Sequence, residues 1–363
     1  MQKVALVIFP IHSSHGCILQ TFALKSILED FGFHVDIINR HWNKPSLLYR
    51  LKFSIKRILN NIFKGGNLPL LWEDACCSFK LRELNSFINQ YLSFQVIDIK
   101  DEDDFDTIDW NQYHALVVGS DQTWRPKYVS NVYNYFFNFA EQYIYPLKIA
   151  YAASFGTDKW EYSEEQTKVV KRLISHFDAV AVREVSGVSL CKEFLGSEAV
   201  RVLDPTLLFQ GEEYIKRLGL KVNSQDILAT FFLDRTKEKC QIADDIAKKL
   251  GISVINVNRD IENQFATIQM QIAPSMTEWL EINLAAKFVI VDSFHAMVFA
   301  ILFHKQFLVI GNIQRGLSRF QSVLDSIGLL DRLYISNSDP ISLINNPIDW
   351  DVVDAKLQIQ RDI

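Results

Sequence analysis

Short apolar runs alternate with helix-length segments along almost the whole chain, and no Asn-Gly type turn joins one run to the next. Val4–Phe9 leads into polar Ser13–Gly16. Cys17–Phe31 follows, with Ile18, Leu19, Phe22, Leu24, Ile27, Leu28 and Phe31 at helical spacing, and Gly32 ends it before the run HVDIIN. A strand, a crossover helix and a strand make a parallel pair, because a connection of that length is no hairpin. The pattern recurs in HALVVGSDQ, KIAYAASFG, DAVAVREVSG and RVLDPTLLF. It restarts after polar Gly211–Gln225 with DILATFFLD, a helix over RTKEKCQIADDIAKKLG, and ISVINVN. A helix near Thr277–Ala286, FVIV, a helix over DSFHAMVFAILF, QFLVIG and a helix over Gly316–Ile327 complete the series. Two such series predict an α/β protein with two Rossmann-like parallel-sheet domains facing a cleft. The expected boundaries are 1–208 for the first domain, with a basic insertion at 44–64, and 209–338 for the second; 339–363, with DWDVVDAKLQIQ, is expected to pack back on the first.

A chain of 363 residues, 48% hydrophobic, can build two cores. Its net charge of -5 argues against nucleic-acid binding, which needs a basic excess over a domain, so any phosphate must be bound locally. Cys17, Cys76, Cys77, Cys191 and Cys240 show no paired spacing, and Cys76 and Cys77 are adjacent, which fits a reducing compartment. The apolar run at the start is too short for a secretion signal, and no apolar stretch reaches membrane-spanning length, so the expected location is the cytoplasm. Lys44–Lys64 stands apart. It holds six basic residues and no acidic one, with Leu47, Leu51, Ile55, Ile58, Leu59 and Ile62 on one helical face. Such a helix either lies on an anionic membrane surface or packs on the protein with a solvated basic face. The acidic run Asp98–Asp109 reads as a solvated connection.

Open parallel sheets bind ligands beyond the carboxyl ends of their strands. The residues there are Ser13, Ser14, His15 and Gly16; Gly119, Ser120, Asp121 and Gln122; Ser154–Gly156; Arg183 and Glu184; Asp204; and Asp292–His295. No GxGxxG follows a strand and no GxxxxGK[ST] occurs, which weakens dinucleotide and nucleotide readings. Neither HExxH nor CxxC occurs to support a metal, and GxSxG is absent around Ser120. His295 opens an apolar helix after FVIV, a position suited to a general acid or base, or to a hydrogen-bonded structural histidine. Asp292 and Ser293 are natural caps of that helix, whose N-terminus can hold an anion. Arg183 offers a bidentate fork for the same anion or a surface salt bridge. Arg315 and Arg319 read as exposed helix residues, and Trp124 as either a sugar-stacking platform or a wall.

Taken together, GCILQTFALKSIL, VVGSDQTW, YAASFG, AVREVSG, VLDPTLL, VDSFHAMVFAI and SRFQSVLDSIGLLDR resemble, in order, the segments of the polysaccharide pyruvyl transferase family. The chain departs from that pattern at Ser14-His15-Gly16, where the family often has Asn, at Ala296, where it usually has Gly, and at Ser293, where some branches have Arg. The resemblance implies a fold similar to two-domain GT-B glycosyltransferases and no cofactor, with phosphoenolpyruvate as co-substrate. The acceptor would be a sugar of a polysaccharide or a lipid-linked oligosaccharide, and the product a pyruvate ketal. On it, His295 exchanges protons and Asp121 orients or deprotonates the acceptor. Arg183, Arg319, Ser293 and Asp292 hold the donor, and Ser120, Gln122, Trp124 and His15 contact the acceptor. Lipid-linked acceptors would place the basic segment on the inner face of the cell membrane. A nucleotide-sugar glycosyltransferase of the same architecture and a noncatalytic relative in polysaccharide assembly are the competing expectations.

Overall fold

The computed structural model of the chain describes residues 1–11, 14–41, 46–64, 78–92, 95–259, 261, 265–311, 316–335, 340–341 and 346–363, with the backbone alone for 60–64. Ser13, Lys44, Cys76, Cys77, Arg315, Asp339 and the side chain of Ile62, all singled out above, lie outside the described residues.

The first series runs β1 (Lys3–Ile8), α1 (His15–Asp30), β2 (His34–Arg40), α2 (Leu47–Lys64), α3 (Asn85–Tyr91), β3 (Val96–Ile99), β4 (Ala115–Val118), β5 (Leu147–Ala153), α4 (Glu164–Ile174), β6 (Ala179–Val182), α5 (Val185–Leu190) and β7 (Val200–Arg201). The second runs α6 (Gly211–Leu218), β8 (Ile227–Phe231), α7 (Lys237–Leu250), β9 (Ser253–Asn256), α8 (Met276–Ala285), β10 (Phe288–Val291), α9 (Phe294–Leu302), β11 (Gln306–Ile310), α10 (Ser318–Ile327), β12 (Leu333–Tyr334) and α11 (Trp350–Arg361). The strands form two sheets, ordered β3-β2-β1-β4-β5-β6-β7 and β12-β11-β10-β8-β9. Every pairing between them is parallel.

In each sheet the strand order reverses once, between β1 and β4 and between β8 and β10. At such a point neighbouring crossovers leave on opposite faces and a crevice opens at the carboxyl edge. The sequence places Ser14–Gly16 and Gly119–Gln122 beyond one reversal, and Asp292–His295 beyond the other.

One hydrophobic cluster runs through both domains, joining Leu6, Ile18, Phe22 and Ile37 to Phe231, Trp279, Val291 and Phe299. The outer face of each sheet has its own cluster, around Val7, Leu116 and Trp124 in the first and Leu228, Ile246 and Ile290 in the second. Helix α1 lies inside the shared cluster, so every residue from Gly16 to Ser26 is buried and the one-sided helix suggested by spacing is covered almost all round. Helix α9 is its counterpart, with all nine residues buried.

Two edge strands, β3 and β12, add to the series read from sequence. The acidic run after β3 is not a plain solvated connection. Asp101 and Asp104 form a reciprocal cap on a 3-10 turn, and Glu102 accepts from Arg40 NH2 at 3.0 Å, closing over a buried guanidinium. Helix α11 places Val353 and Leu357 in the core, and its Arg361 Nε donates to the Leu207 carbonyl at 2.8 Å.

Candidate active site

Beyond β4 the chain turns through Gly119, Ser120 and Asp121. Asp121 has φ of 89°, a left-handed conformation uncommon outside glycine, and its backbone bridges to Ala153 while its own Oδ1 accepts from Gln122 N at 2.8 Å. This turn aims the Ser120 hydroxyl inward, where it donates to Asp204 Oδ2 at 3.1 Å. The same oxygen accepts from Gln20 Nε2 at 2.6 Å and Arg183 NH1 at 2.8 Å, and the other carboxylate oxygen accepts from Thr206 N and Thr206 Oγ1 at 3.0 and 2.6 Å. Asp204 and Arg183 are both wholly buried. Burying a carboxylate alone raises its pKa. Here the contacts with His295, Arg183 and Thr206 outweigh burial and hold Asp204 well below the usual range. Arg183 is pushed the other way: burial would lower it, but Asp204, Asp121 and Glu184 raise it. The pair therefore stays ionised in the interior, each charge compensating the other.

From the second domain, His295 Nε2 reaches within 3.8 Å of Asp204 Oδ2, an ion-pair distance longer than a hydrogen bond. His295 is 8% exposed, and its Nε2 has no hydrogen-bond partner among the described residues. The other face of the ring explains Gly16. A Cβ there would sit 2.0 Å from His295 Nδ1, so the ring packs directly against the α1 backbone, and only glycine leaves room. Phe294, the residue before, meets two guanidiniums, with Arg183 4.8 Å and Arg319 5.7 Å from its ring centroid. Arg319 is not the exposed helix residue its spacing suggested. It is 8% exposed, and burial followed by the like charge of Arg183 lowers it to about 10, still cationic at neutral pH.

The remaining expected site residues divide. Asp292 does not face the cleft as a helix cap; its carboxylate accepts from Leu233 N at 2.6 Å, from Asp234 N and from Lys239 Nζ. Ser293 occupies the N-cap of α9 but makes no side-chain capping bond. Trp124 corrects the sugar-platform expectation: it is 0% exposed, stacks on Phe136 and donates Nε1 to the Tyr135 carbonyl, so its ring faces are covered by core. Gln122 is buried, accepts from Arg125 NH1 at 2.9 Å and closes over Gly156. His15 sits between the domains, stacked on Trp279 with Nε2 on the Pro274 carbonyl at 2.9 Å; burial lowers it to about 4, offset only in part by that bond. The structure thus brings Ser120, Asp121, Arg183, His295 and Arg319 together and leaves Asp292 and Trp124 apart. Gln20 and Thr206 were not anticipated. Gln20 is a polar residue within an apolar helix, and Thr206 follows an Asp-Pro pair that favours a local carboxylate turn.

Solved structures share this two-domain arrangement. UDP-GlcNAc 2-epimerase from Methanocaldococcus jannaschii matches with a TM-score of 0.55 at 11% identity, covering 98% of this chain and 93% of that one. The enzyme of the same name from Neisseria meningitidis matches at 0.50 and 10%, covering 99% and 98%. UGT2 of Phytolacca americana matches at 0.44 and 12%, covering 100% and 94%. The two epimerases, at 0.55 and 0.50, show the fold alone, that of a two-domain α/β protein of the GT-B-like class. No curated protein matches significantly. The model of the polysaccharide pyruvyl transferase family matches residues 15–314, and the chain belongs to that family.

Proposed function

We propose that the protein transfers the pyruvate group of phosphoenolpyruvate to two hydroxyls of a sugar in a polysaccharide or lipid-linked oligosaccharide, giving a cyclic ketal and phosphate. The observation that carries this reading is the buried meeting of His295 with the Asp204–Arg183 pair, inside the segment matched by the family. The reaction needs a proton at the enol methylene, which becomes a methyl group and leaves the adjacent carbon electron-poor. One acceptor hydroxyl adds to that carbon, the bond to the phosphate oxygen breaks, and the second hydroxyl closes the ring. The two hydroxyls release two protons; one balances the new methyl and the other leaves on phosphate.

In this reading His295 delivers the proton and Asp204 stabilises the imidazolium that precedes delivery. Arg183 and Arg319 bind the anionic groups of the donor, their charges already fixed before it arrives. Asp121 takes the proton of the attacking hydroxyl. Because His295, Arg183 and Arg319 are all buried, donor access calls for the domains to part at the His295–Gly16 and His15–Trp279 contacts.

Thermal melting with ligands separates the readings. Phosphoenolpyruvate should raise the melting temperature and a UDP-sugar should not, since only a bound ligand stabilises the folded state. Phosphate release from phosphoenolpyruvate should then depend on a polysaccharide acceptor. Stabilisation by a UDP-sugar alone, with sugar transfer, would replace this reading by a nucleotide-sugar glycosyltransferase. Stability unmoved by either donor, with no release across a panel of acceptors, would leave a noncatalytic assembly subunit.

A further inference from the structure

Helix α2 is oriented the wrong way round for a helix that serves only its own domain. An amphipathic surface helix turns its apolar stripe to the core. Here Leu47 and Ile55 are 69% and 56% exposed, Leu48, Leu51, Ile58 and Leu59 are exposed beside them, and among the described side chains of the helix the buried ones are Ser54 and Arg57 at 8% and 7%. The helical repeat places Lys52 and Lys56, also exposed, along one border of the outward stripe. Leu47–Lys64 contains no acidic residue, although the chain as a whole is acidic.

We propose that α2 docks the protein on an anionic lipid bilayer, the leucines and isoleucines entering the boundary of the acyl region and Lys52 and Lys56 reaching the headgroup phosphates. Two features favour a lipid surface over another polypeptide. The border charge is of one sign, complementary to anionic headgroups, and a long lysine side chain can extend past the apolar layer to reach them. No helix among the described residues is long and apolar enough to cross a membrane, so the contact is interfacial. Its position follows from topology. Helix α2 follows β2, which runs parallel to β1, and therefore leaves the first sheet at the edge that also carries Ser14–Gly16 and Gly119–Gln122. A docked α2 would hold the cleft close to the bilayer, within reach of a sugar carried on a lipid. The inference does not depend on the donor or on pyruvyl transfer.

The test is cosedimentation of the full chain with vesicles, without any substrate. Phosphatidylcholine vesicles containing phosphatidylglycerol should pellet the protein on the order of tenfold more strongly than phosphatidylcholine alone. Lys52→Glu with Lys56→Glu should abolish that preference, and Leu51→Ser with Ile55→Ser should abolish binding to both, each with an unchanged melting temperature because the side chains are exposed. Three results would overturn the proposal: no pelleting with anionic vesicles; binding indifferent to both double variants; or a dimer in sedimentation velocity that Leu51→Ser with Ile55→Ser disperses while vesicles are ignored, which would assign the stripe to a second copy of the chain. A fall in melting temperature for the serine pair without vesicle binding would likewise overturn it, by showing the stripe covered within the protein.

Discussion

Helices α1 and α9 open in nearly the same way on opposite sides of the cleft, and the two openings are put to different ends. Each follows the strand beside its sheet's reversal, each has a serine at the N-cap, and each carries a histidine within two residues of it. At the start of α1 both residues are engaged: Ser14 accepts from Cys17 N at 3.2 Å, and His15 stacks on Trp279 and bonds to Pro274. In α9 Ser293 makes no side-chain cap, and His295 Nε2 lies 3.8 Å from a carboxylate with no hydrogen-bond partner among the described residues. The satisfied opening closes the domain contact. The unsatisfied one leaves an imidazole nitrogen beside a fixed charge, and on that asymmetry the proposed reaction assigns proton transfer to His295 rather than His15.

The sharpest way to break the comparison is to remove each histidine in turn. His295→Ala should lower phosphate release on the order of a thousandfold, the range of a lost general acid, while circular dichroism stays unchanged. His15→Gln should retain most of the turnover; equal losses in both variants would end the distinction. Gly16→Ala comes next. Its Cβ would lie 2.0 Å from His295 Nδ1, so the ring must move, with a loss on the order of a hundredfold. Added to His295→Ala it should cost little more, because the clash has no ring to displace.

A smaller effect separates the two openings by pH. His15 is lowered from 6.5 to about 4 by burial, so unfolding takes up a proton between those values. Its contribution to stability is complete above 6.5 and declines as the pH falls toward about 4. Denaturant unfolding at a series of pH values should show that decline in the native chain and a shallower one in His15→Gln. The smallest effect concerns the caps. Ser14→Ala should cost about 1 kcal/mol, the usual worth of a capping bond. Ser293→Ala should stay within about 0.5 kcal/mol, since no cap is lost. Both are read from urea midpoints.

The parallel sheets were legible because the alternation of strand and helix is carried by local residue choice. The edges were not. β3 and β12 are short and only part-buried, so VIDI and LY lack the apolar run that marks a central strand. Site residues were legible as strand ends but not as partners. Nothing local to Asp204 says that Gln20, Ser120 and Arg183 converge on one oxygen, since those residues lie far apart in sequence and meet only through the sheet order. Burial was the main blind spot. Trp124 and Arg319 sit in patterns that allow a surface position, and packing against Phe136 and Phe294 decides otherwise. For α2 the two-faced pattern was plain, yet which face points outward depends on what the rest of the chain leaves uncovered.

Helix α11 has a consequence for the order in which the molecule is made. Arg361 serves the carbonyls of Leu207 and Phe209, and Arg201 donates to the Ser322 carbonyl at 3.1 Å. The region around β7 therefore waits, during synthesis, for residues translated more than a hundred positions later. Domains generally fold as units, the earlier one first. Here the carbonyls of Leu207 and Phe209 meet Arg361 only once the last helix has been made, so a nascent chain halted after β8 would leave that edge of the first domain without this contact.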